Sequence, residues 1–221
     1  HRTIRGAPLR HPEPLDWAKH HGLPTARRAW HDQAGTVGAV LDAEGLRLGK
    51  KLGCGTFGCA FVAAQRPTRV IKITGDPSEA AAAARVIEAR AAGHRLPAVV
   101  RFHGVAAVRG TGLFIVTQER LLPLGKNAYR MVEENFEAIY VAGHGGTAEQ
   151  RALARGLSAR YRVDRAAVGS LLRVFDQLSA IGVEYHDCHE GNVLRTKAGM
   201  LRVIDLGISR SKPIRVPQVK P

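Results

Sequence analysis

The chain has 221 residues, of which 45% are hydrophobic, and its formal net charge is +14. This length allows one domain with two lobes, and no apolar run approaches the roughly 18 residues of a membrane-spanning helix, so no membrane span is expected. The positive charge suits an acidic partner, although frequent arginine alone also explains it. Because aromatic residues make up only 5% of the chain, nucleic acid is not the favoured partner.

The cysteines Cys54, Cys59 and Cys188 are too few, and odd in number, for a disulfide framework. They therefore predict a reducing compartment, such as the cytoplasm. Histidines and cysteines are scattered without the paired spacing of a zinc site, so zinc is not expected.

Residues 1–44 are rich in proline, histidine and arginine and show little periodicity, because prolines interrupt any long helix. We interpret them as an N-terminal extension that either packs on the domain or stays mobile. Trp17 and Trp30 are expected to anchor it to a hydrophobic surface.

A glycine-rich segment follows, with the pattern Gly53-x-Gly55-x-x-Gly58 between two predicted strands. The pattern occurs both in dinucleotide-binding folds, where a helix follows the turn, and in hairpin loops that cover phosphates. A second strand follows here, which favours the hairpin. Glycine lets backbone N–H groups approach phosphate oxygens, and Phe57 at the tip of the loop would shield the phosphates from water.

The stretch Arg69–Thr74 is a β-branched strand with Lys72 in its middle, where a lysine is costly to bury unless it is paired. A helix over Glu79–Ala92 should follow, with Ser78 as its N-cap. Two glutamates of this helix, Glu79 and Glu88, are candidates to pair with Lys72. Lys72 on a solvent-facing edge strand is the alternative.

Further elements complete a mixed pattern. Ala98–Val108 and Leu113–Glu119 read as strands, and three helices are predicted over Leu124–Tyr140, Thr147–Arg162 and Asp164–Ile181. The last helix carries an apolar stripe typical of a core. Two short strands around Lys197–Gly199 should then form a hairpin.

Polar residues flank this hairpin on both sides. Tyr185-His-Asp-Cys-His-Glu-Gly-Asn192 precedes it, and Val203-Ile-Asp-Leu-Gly207 ends it. Asp187 and Asn192 are therefore five residues apart, and the hairpin should return Asp205 beside Asn192. Carboxylate and amide oxygens in this order suit a magnesium-bound nucleotide.

This order of motifs resembles the protein kinase superfamily. Asp187-x-x-x-x-Asn192 is similar to its catalytic loop, Asp205-Leu206-Gly207 to its Asp-Phe-Gly motif, and Val70-Ile71-Lys72 to its strand lysine. The resemblance implies an α+β, bilobal kinase-like fold. Residues 45–122 would form an N-lobe with a five-stranded antiparallel sheet and one helix, and residues 123–221 a reduced, mainly helical C-lobe.

The resemblance also implies a site that binds ATP and Mg²⁺. Asp187 would receive the proton of the acceptor hydroxyl, and Lys72 would orient the phosphates. His189 occupies the position at which Ser/Thr kinases carry a lysine that contacts the γ-phosphate. The alternative is that His189 is a loop histidine in solvent. Asn192 and Asp205 would hold the metal. The glycine-rich loop would supply nucleotide contacts from Gly53, Gly55, Thr56, Phe57 and Gly58, and the hinge would supply backbone groups of Glu119 and Leu121. Glu88 would complete the set. It is favoured over Glu79 because kinases place this glutamate in mid-helix.

The sequence departs from ordinary kinases in several places. Tyr185 and His186 replace His-Arg, Leu206 replaces Phe, and no activation segment or Ala-Pro-Glu motif follows Gly207. A kinase shortened in this way resembles minimal kinases that pathogenic bacteria secrete into host cells. We therefore expect a monomeric Ser/Thr kinase-like effector that acts on a protein, such as a host protein. A small-molecule kinase of aminoglycoside or sugar type and a nucleotide-binding pseudokinase are the alternatives.

Overall fold

The structure is a computed structural model that describes residues 35–55, 57–207, 210–211, 214 and 216–219. The chain divides into two compact units. Unit 1 comprises the described residues up to Ile87, Arg101–Arg120 and those from Ser211 onward, and unit 2 comprises Glu88–Val100 and Leu121–Arg210. Most of the predicted extension, with Trp17 and Trp30, lies outside the described residues.

Unit 1 is built on one sheet. Its strands are β1 (Leu48–Cys54), β2 (Gly58–Ala63), β3 (Arg66–Thr74), β4 (Phe102–Val108) and β5 (Leu113–Glu119). All four pairings among these strands are antiparallel, in the order β1-β2-β3-β5-β4. Short turns join β1 to β2, β2 to β3 and β4 to β5, and β-branched residues fill many of their buried positions, so local sequence explains these hairpins.

The prediction of a five-stranded antiparallel sheet is nevertheless wrong. A sixth strand, Gln218–Val219, pairs with β4 in parallel, with Val219 opposite Val108. Backbone N–H groups of Ala107 and Arg109 donate to the carbonyls of Pro217 and Val219 at 2.7 and 3.1 Å. Two residues beside prolines carry no strand periodicity, so the sequence gives no signal for this strand.

The two faces of the sheet bury different partners, because successive strand residues point to opposite sides. On one face, Ile71 and Ile115 belong to a core with Val37 and Val40 of helix α1 (residues 35–43). On the other, Phe114 packs with alanines of the next helix and with Ile214 and Val216. Residues 35–43, within the predicted extension, therefore pack on the sheet.

That next helix, α2 (Pro77–Ala91), begins two residues before the predicted start. Ser78 is not its N-cap. The carboxylate of Asp76 instead accepts hydrogen bonds from the backbone N–H and the hydroxyl of Ser78, at 2.8 and 2.7 Å. Pro77 suits the first helical position because that position needs no N–H donor.

Unit 2 is mainly helical. Its helices are α3 (Lys126–Gly143), α4 (Thr147–Tyr161), α5 (Arg165–Leu172) and α6 (Val174–Ala180). The first two match the predictions, and Asp164 caps α5 by accepting from the N–H of Ala167 at 2.8 Å. The predicted single helix to Ile181 is broken at Arg173, and both parts bury its apolar stripe.

The strands of unit 2 are short. They are β6 (Val183–Glu184), β7 (Val193–Arg195) and β8 (Leu201–Val203). The remaining strands among the residues that the structure describes are β9 (Arg210–Ser211) and β10 (Gln218–Val219). Strands β7 and β8 form the predicted antiparallel hairpin, with Val193 opposite Val203. A 3-10 turn, Glu190–Asn192, leads directly into β7.

These elements confirm the α+β class. The bilobal kinase arrangement remains a prediction, as do the lobe boundaries. Within the described residues, no helix is both long enough and apolar enough to cross a bilayer.

Candidate active site

The glycine-rich segment forms the predicted hairpin turn between β1 and β2. The N–H of Gly55 donates to the carbonyl of Gly58 at 2.9 Å, and the N–H of Gly75 donates to the carbonyl of Phe57 at 2.8 Å. The second bond holds the turn against the end of β3. Thr56, a predicted nucleotide contact, lies outside the described residues.

The glycines of this turn serve different purposes. A Cβ on Gly58 would lie 2.2 Å from the backbone oxygen of Ile73, so Gly58 is required for the close approach of β2 and β3. A Cβ on Gly53 or Gly55 would meet nothing within 4 Å. These two positions present backbone to open space, as a phosphate-covering loop requires.

A disulfide joins Cys54 to Cys59. The two residues face each other across β1 and β2, so the bond closes the glycine-rich turn at its base. The expectation that these cysteines stay reduced is therefore wrong for this pair, because cross-strand register brings together two side chains that sequence spacing alone did not identify. Cys188 is the free cysteine.

Lys72 lies on β3 between β2 and β5, so the edge-strand alternative does not hold. Its Nζ is 2.6 Å from Oε1 of Glu79, and the two side chains are 15% and 1% exposed. The preference for Glu88 as the partner is wrong: Glu88 is exposed on α2. Because α2 begins at Pro77, its first turn already brings a carboxylate to the strand lysine.

The two predicted hinge residues fall in different units. In unit 1, the N–H of Glu119 donates to the carbonyl of Arg101 at 2.8 Å, which removes that donor from nucleotide binding. In unit 2, Leu121 is 8% exposed, and its backbone N–H and carbonyl make no hydrogen bond within the described part of the chain. A buried amide of this kind is costly unless another group pairs with it, so Leu121 remains a candidate for the adenine edge.

Asp187 and Asn192 are held together in unit 2. The amide nitrogen of Asn192 donates to the backbone oxygen and to Oδ2 of Asp187, each at 2.9 Å. Both amide protons are thereby used, which leaves Oδ1 of Asn192 as the acceptor available to a cation. The 3-10 turn is what brings these residues within reach.

His189 lies beside the same carboxylate. Its Nδ1 accepts the N–H of Gly191 at 3.1 Å, so the neutral ring carries its proton on Nε2. That Nε2 is 3.8 Å from Oδ1 of Asp187. The His189 side chain is 46% exposed and is open to a substrate group.

Asp205 follows the β7–β8 hairpin, as predicted. The N–H of Ile204 donates to the carbonyl of Asn192 at 2.9 Å, which ties the segment before Asp205 to the 3-10 turn. Oδ1 of Asp205 accepts the N–H of Gly207 at 3.1 Å. The Asp-Leu-Gly segment is therefore held in place by its own glycine.

Sequence analysis assigned no role to Tyr185 and identified it only as a departure from the His-Arg pattern of kinases. Its buried hydroxyl donates to the carbonyl of Asp187 at 2.8 Å. Burial, reinforced by the negative charges that Cys188, Asp187 and Asp205 would carry, raises the pKa of Tyr185 well above its ordinary value, so the phenol stays a donor. Burial likewise raises the pKa of Cys188 to about 12. An aromatic residue two positions before Asp187 was the sequence signal for this hydrogen bond.

The residues present suit a magnesium ion. No group of three or more His, Cys, Asp or Glu residues that could hold a metal exists among the described residues. Mg²⁺ in nucleotide sites, however, usually takes one or two protein carboxylates, phosphate oxygens and water. Oδ1 of Asn192 and the carboxylate of Asp205, which come from linked segments of unit 2, supply that smaller donor set.

No protein-family model matches this chain, and no curated protein sequence matches it.

Proposed function

We propose that this chain is a phosphotransferase that moves the γ-phosphate of ATP to a protein hydroxyl. The observation that carries the proposal is the buried ion pair of Lys72 and Glu79. A lysine in a central strand requires a carboxylate partner. Its ammonium group is also of the type that binds phosphate oxygens. A purely structural position would be filled at lower cost by an apolar residue.

The residues of unit 2 support the same chemistry. Asp187 is fixed by Asn192 and Tyr185, yet its side chain remains 36% exposed. Its carboxylate would accept the proton of the attacking hydroxyl, and protonated Nε2 of His189 would donate to a phosphate oxygen. When bound, Mg²⁺ would neutralise phosphate charge, and Asn192 and Asp205 would hold it.

We also propose that the chain is a secreted effector kinase, and this part of the proposal depends on the sequence resemblance. The net charge of +14 favours an acidic protein as the acceptor. A host protein of that kind would supply the hydroxyl.

The test is transfer of label from γ-labelled ATP, with magnesium, to dephosphorylated casein as an acidic acceptor and to histone as a basic one. The parent should label casein, and Asp187→Asn and Lys72→Met should reduce labelling by at least about 100-fold. Glu88→Gln, an exposed change in the same helix as Glu79, is the matched control and should retain full transfer.

Parallel incubations with aminoglycosides and sugars distinguish a small-molecule kinase. Labelling of these acceptors but of neither protein would replace the proposal with that function. Nucleotide binding without transfer to any acceptor would indicate a pseudokinase. Transfer by Asp187→Asn equal to the parent would refute the assigned mechanism.

A further inference from the structure

A cavity of about 360 Å³ opens in unit 1 on the sheet face that carries Ile71. Lys72, the next residue along β3, points to the other face because side chains alternate along a strand. The cavity is therefore separate from the groups assigned to ATP. Ile71 and Ile115 form its apolar floor, and both are almost fully buried.

The walls of this cavity are fixed by hydrogen bonds. On one side, Gln65 accepts the N–H of Arg47 at 3.0 Å and donates to the carbonyl of Gly45 at 3.1 Å, which holds the loop after α1 over the sheet. On the other side, Pro217 and Val219 are joined to β4 through their carbonyls. A preformed pocket with an apolar floor is typical of a small-molecule site.

The charges around the cavity are predominantly positive. Arg66, Arg69 and His103 line it, against a single carboxylate from Glu44. Within the described residues, the guanidinium groups of Arg66 and Arg69 form no ion pair or hydrogen bond. Arg69 is only partly exposed, and its planar donors match a carboxylate or phosphate.

We propose that this cavity binds a small amphipathic anion, with its apolar body over Ile71 and Ile115 and its acidic headgroup on Arg66 and Arg69. The apolar floor alone would accept a neutral molecule equally well. The two unpaired guanidinium groups at its rim favour the anion. The headgroup is either a carboxylate or a phosphate monoester, since both fit the guanidinium fork.

The test compares probes that share one apolar body. Octanoate, octyl phosphate, octanol and octylamine are titrated separately into the full chain without nucleotide, and binding is followed by calorimetry and by thermal unfolding. We expect octanoate or octyl phosphate to bind at least about tenfold more tightly than octanol, as a charged hydrogen bond implies, and octylamine not to bind. The tighter of the two anions identifies the headgroup.

Variants locate the binding. Arg69→Gln should lower the affinity for the anion by about tenfold or more. Arg109→Gln is the matched control: it removes the same charge from an exposed position of unit 1 that does not line the cavity, and binding should change less than about twofold.

Equal affinities for octanol and octanoate, no binding by any probe, or equal losses in the two variants would overturn the proposal. The comparison of the four probes uses the parent chain alone, so a folding defect in Arg69→Gln does not affect its result. The absence of ATP keeps this result independent of the proposed phosphotransfer.

Discussion

The side-chain amide of Asn192 donates both of its protons to Asp187, one to the carboxylate and one to the backbone carbonyl. This pairing orients the carboxylate and turns the amide oxygen of Asn192 outward. A residue expected only to hold a metal therefore also positions the proposed base.

Asn192→Asp tests that double role. The substitution keeps the shape of the side chain but loses both donors and sets one carboxylate against another. We expect transfer to fall by about 10- to 100-fold, the range typical of groups that orient a metal ligand. Asn127→Asp, an exposed change on α3, is the control for added charge. Full activity in Asn192→Asp would exclude the positioning role.

Glu79→Gln tests the ion pair with Lys72. It removes the carboxylate that pairs with Lys72, and we expect the unfolding free energy to fall by about 3 kcal/mol, at the low end of the range for a buried pair because 15% of the Lys72 side chain is exposed. Urea unfolding measures this loss. Glu88→Gln should change stability by less than about 0.5 kcal/mol. Similar losses in the two variants would contradict the assignment of Glu79.

Thiol counting tests the disulfide. The chain has three cysteines. Alkylation followed by mass spectrometry should modify none of them in the native protein at pH 8, because Cys188 is buried with its pKa raised to about 12. Unfolding without reductant should expose Cys188 alone, and unfolding with reductant should expose all three.

The same pair sets part of the stability of the hairpin. Cys54→Ser with Cys59→Ser should lower unfolding free energy by about 2 kcal/mol, as expected for a short closed loop. Cys188→Ser keeps the disulfide. A dithiol reductant should therefore lower the unfolding free energy of this variant by as much as it lowers that of the parent. Three reactive thiols in the unfolded, unreduced protein would rule out the bond.

Gly58→Ala tests the close approach of β2 and β3. Its methyl group would collide with the backbone of β3, so we expect a loss of about 1–3 kcal/mol, typical of overpacking. Gly55→Ala meets open space and should be nearly neutral for stability. Thermal unfolding measures both, and equal effects would show that Gly58 is not constrained.

Local pattern was sufficient for the elements with strong periodicity. The strands β1–β5, the helices α3 and α4, and the β7–β8 hairpin followed from alternation, capping residues and turn glycines. What the sequence did not reveal depends on tertiary register. Glu79 and Lys72 meet because Pro77 starts α2 early, Cys54 and Cys59 meet across two strands, and Arg173 interrupts a continuous apolar stripe without any glycine or proline to mark the break.

The short strand β10 also determines where this sheet can associate with other chains. It pairs with Ala107 and Val108 on the outer side of β4. Strand β1 is the other edge of the sheet, and it presents Lys50 and Lys51 to solvent. Lysines on an edge strand oppose pairing with a second chain, whereas β4 lacks such protection on its own. Removal of Gln218 and Val219 would therefore expose an uncharged ladder and favour aggregation through intermolecular strand addition.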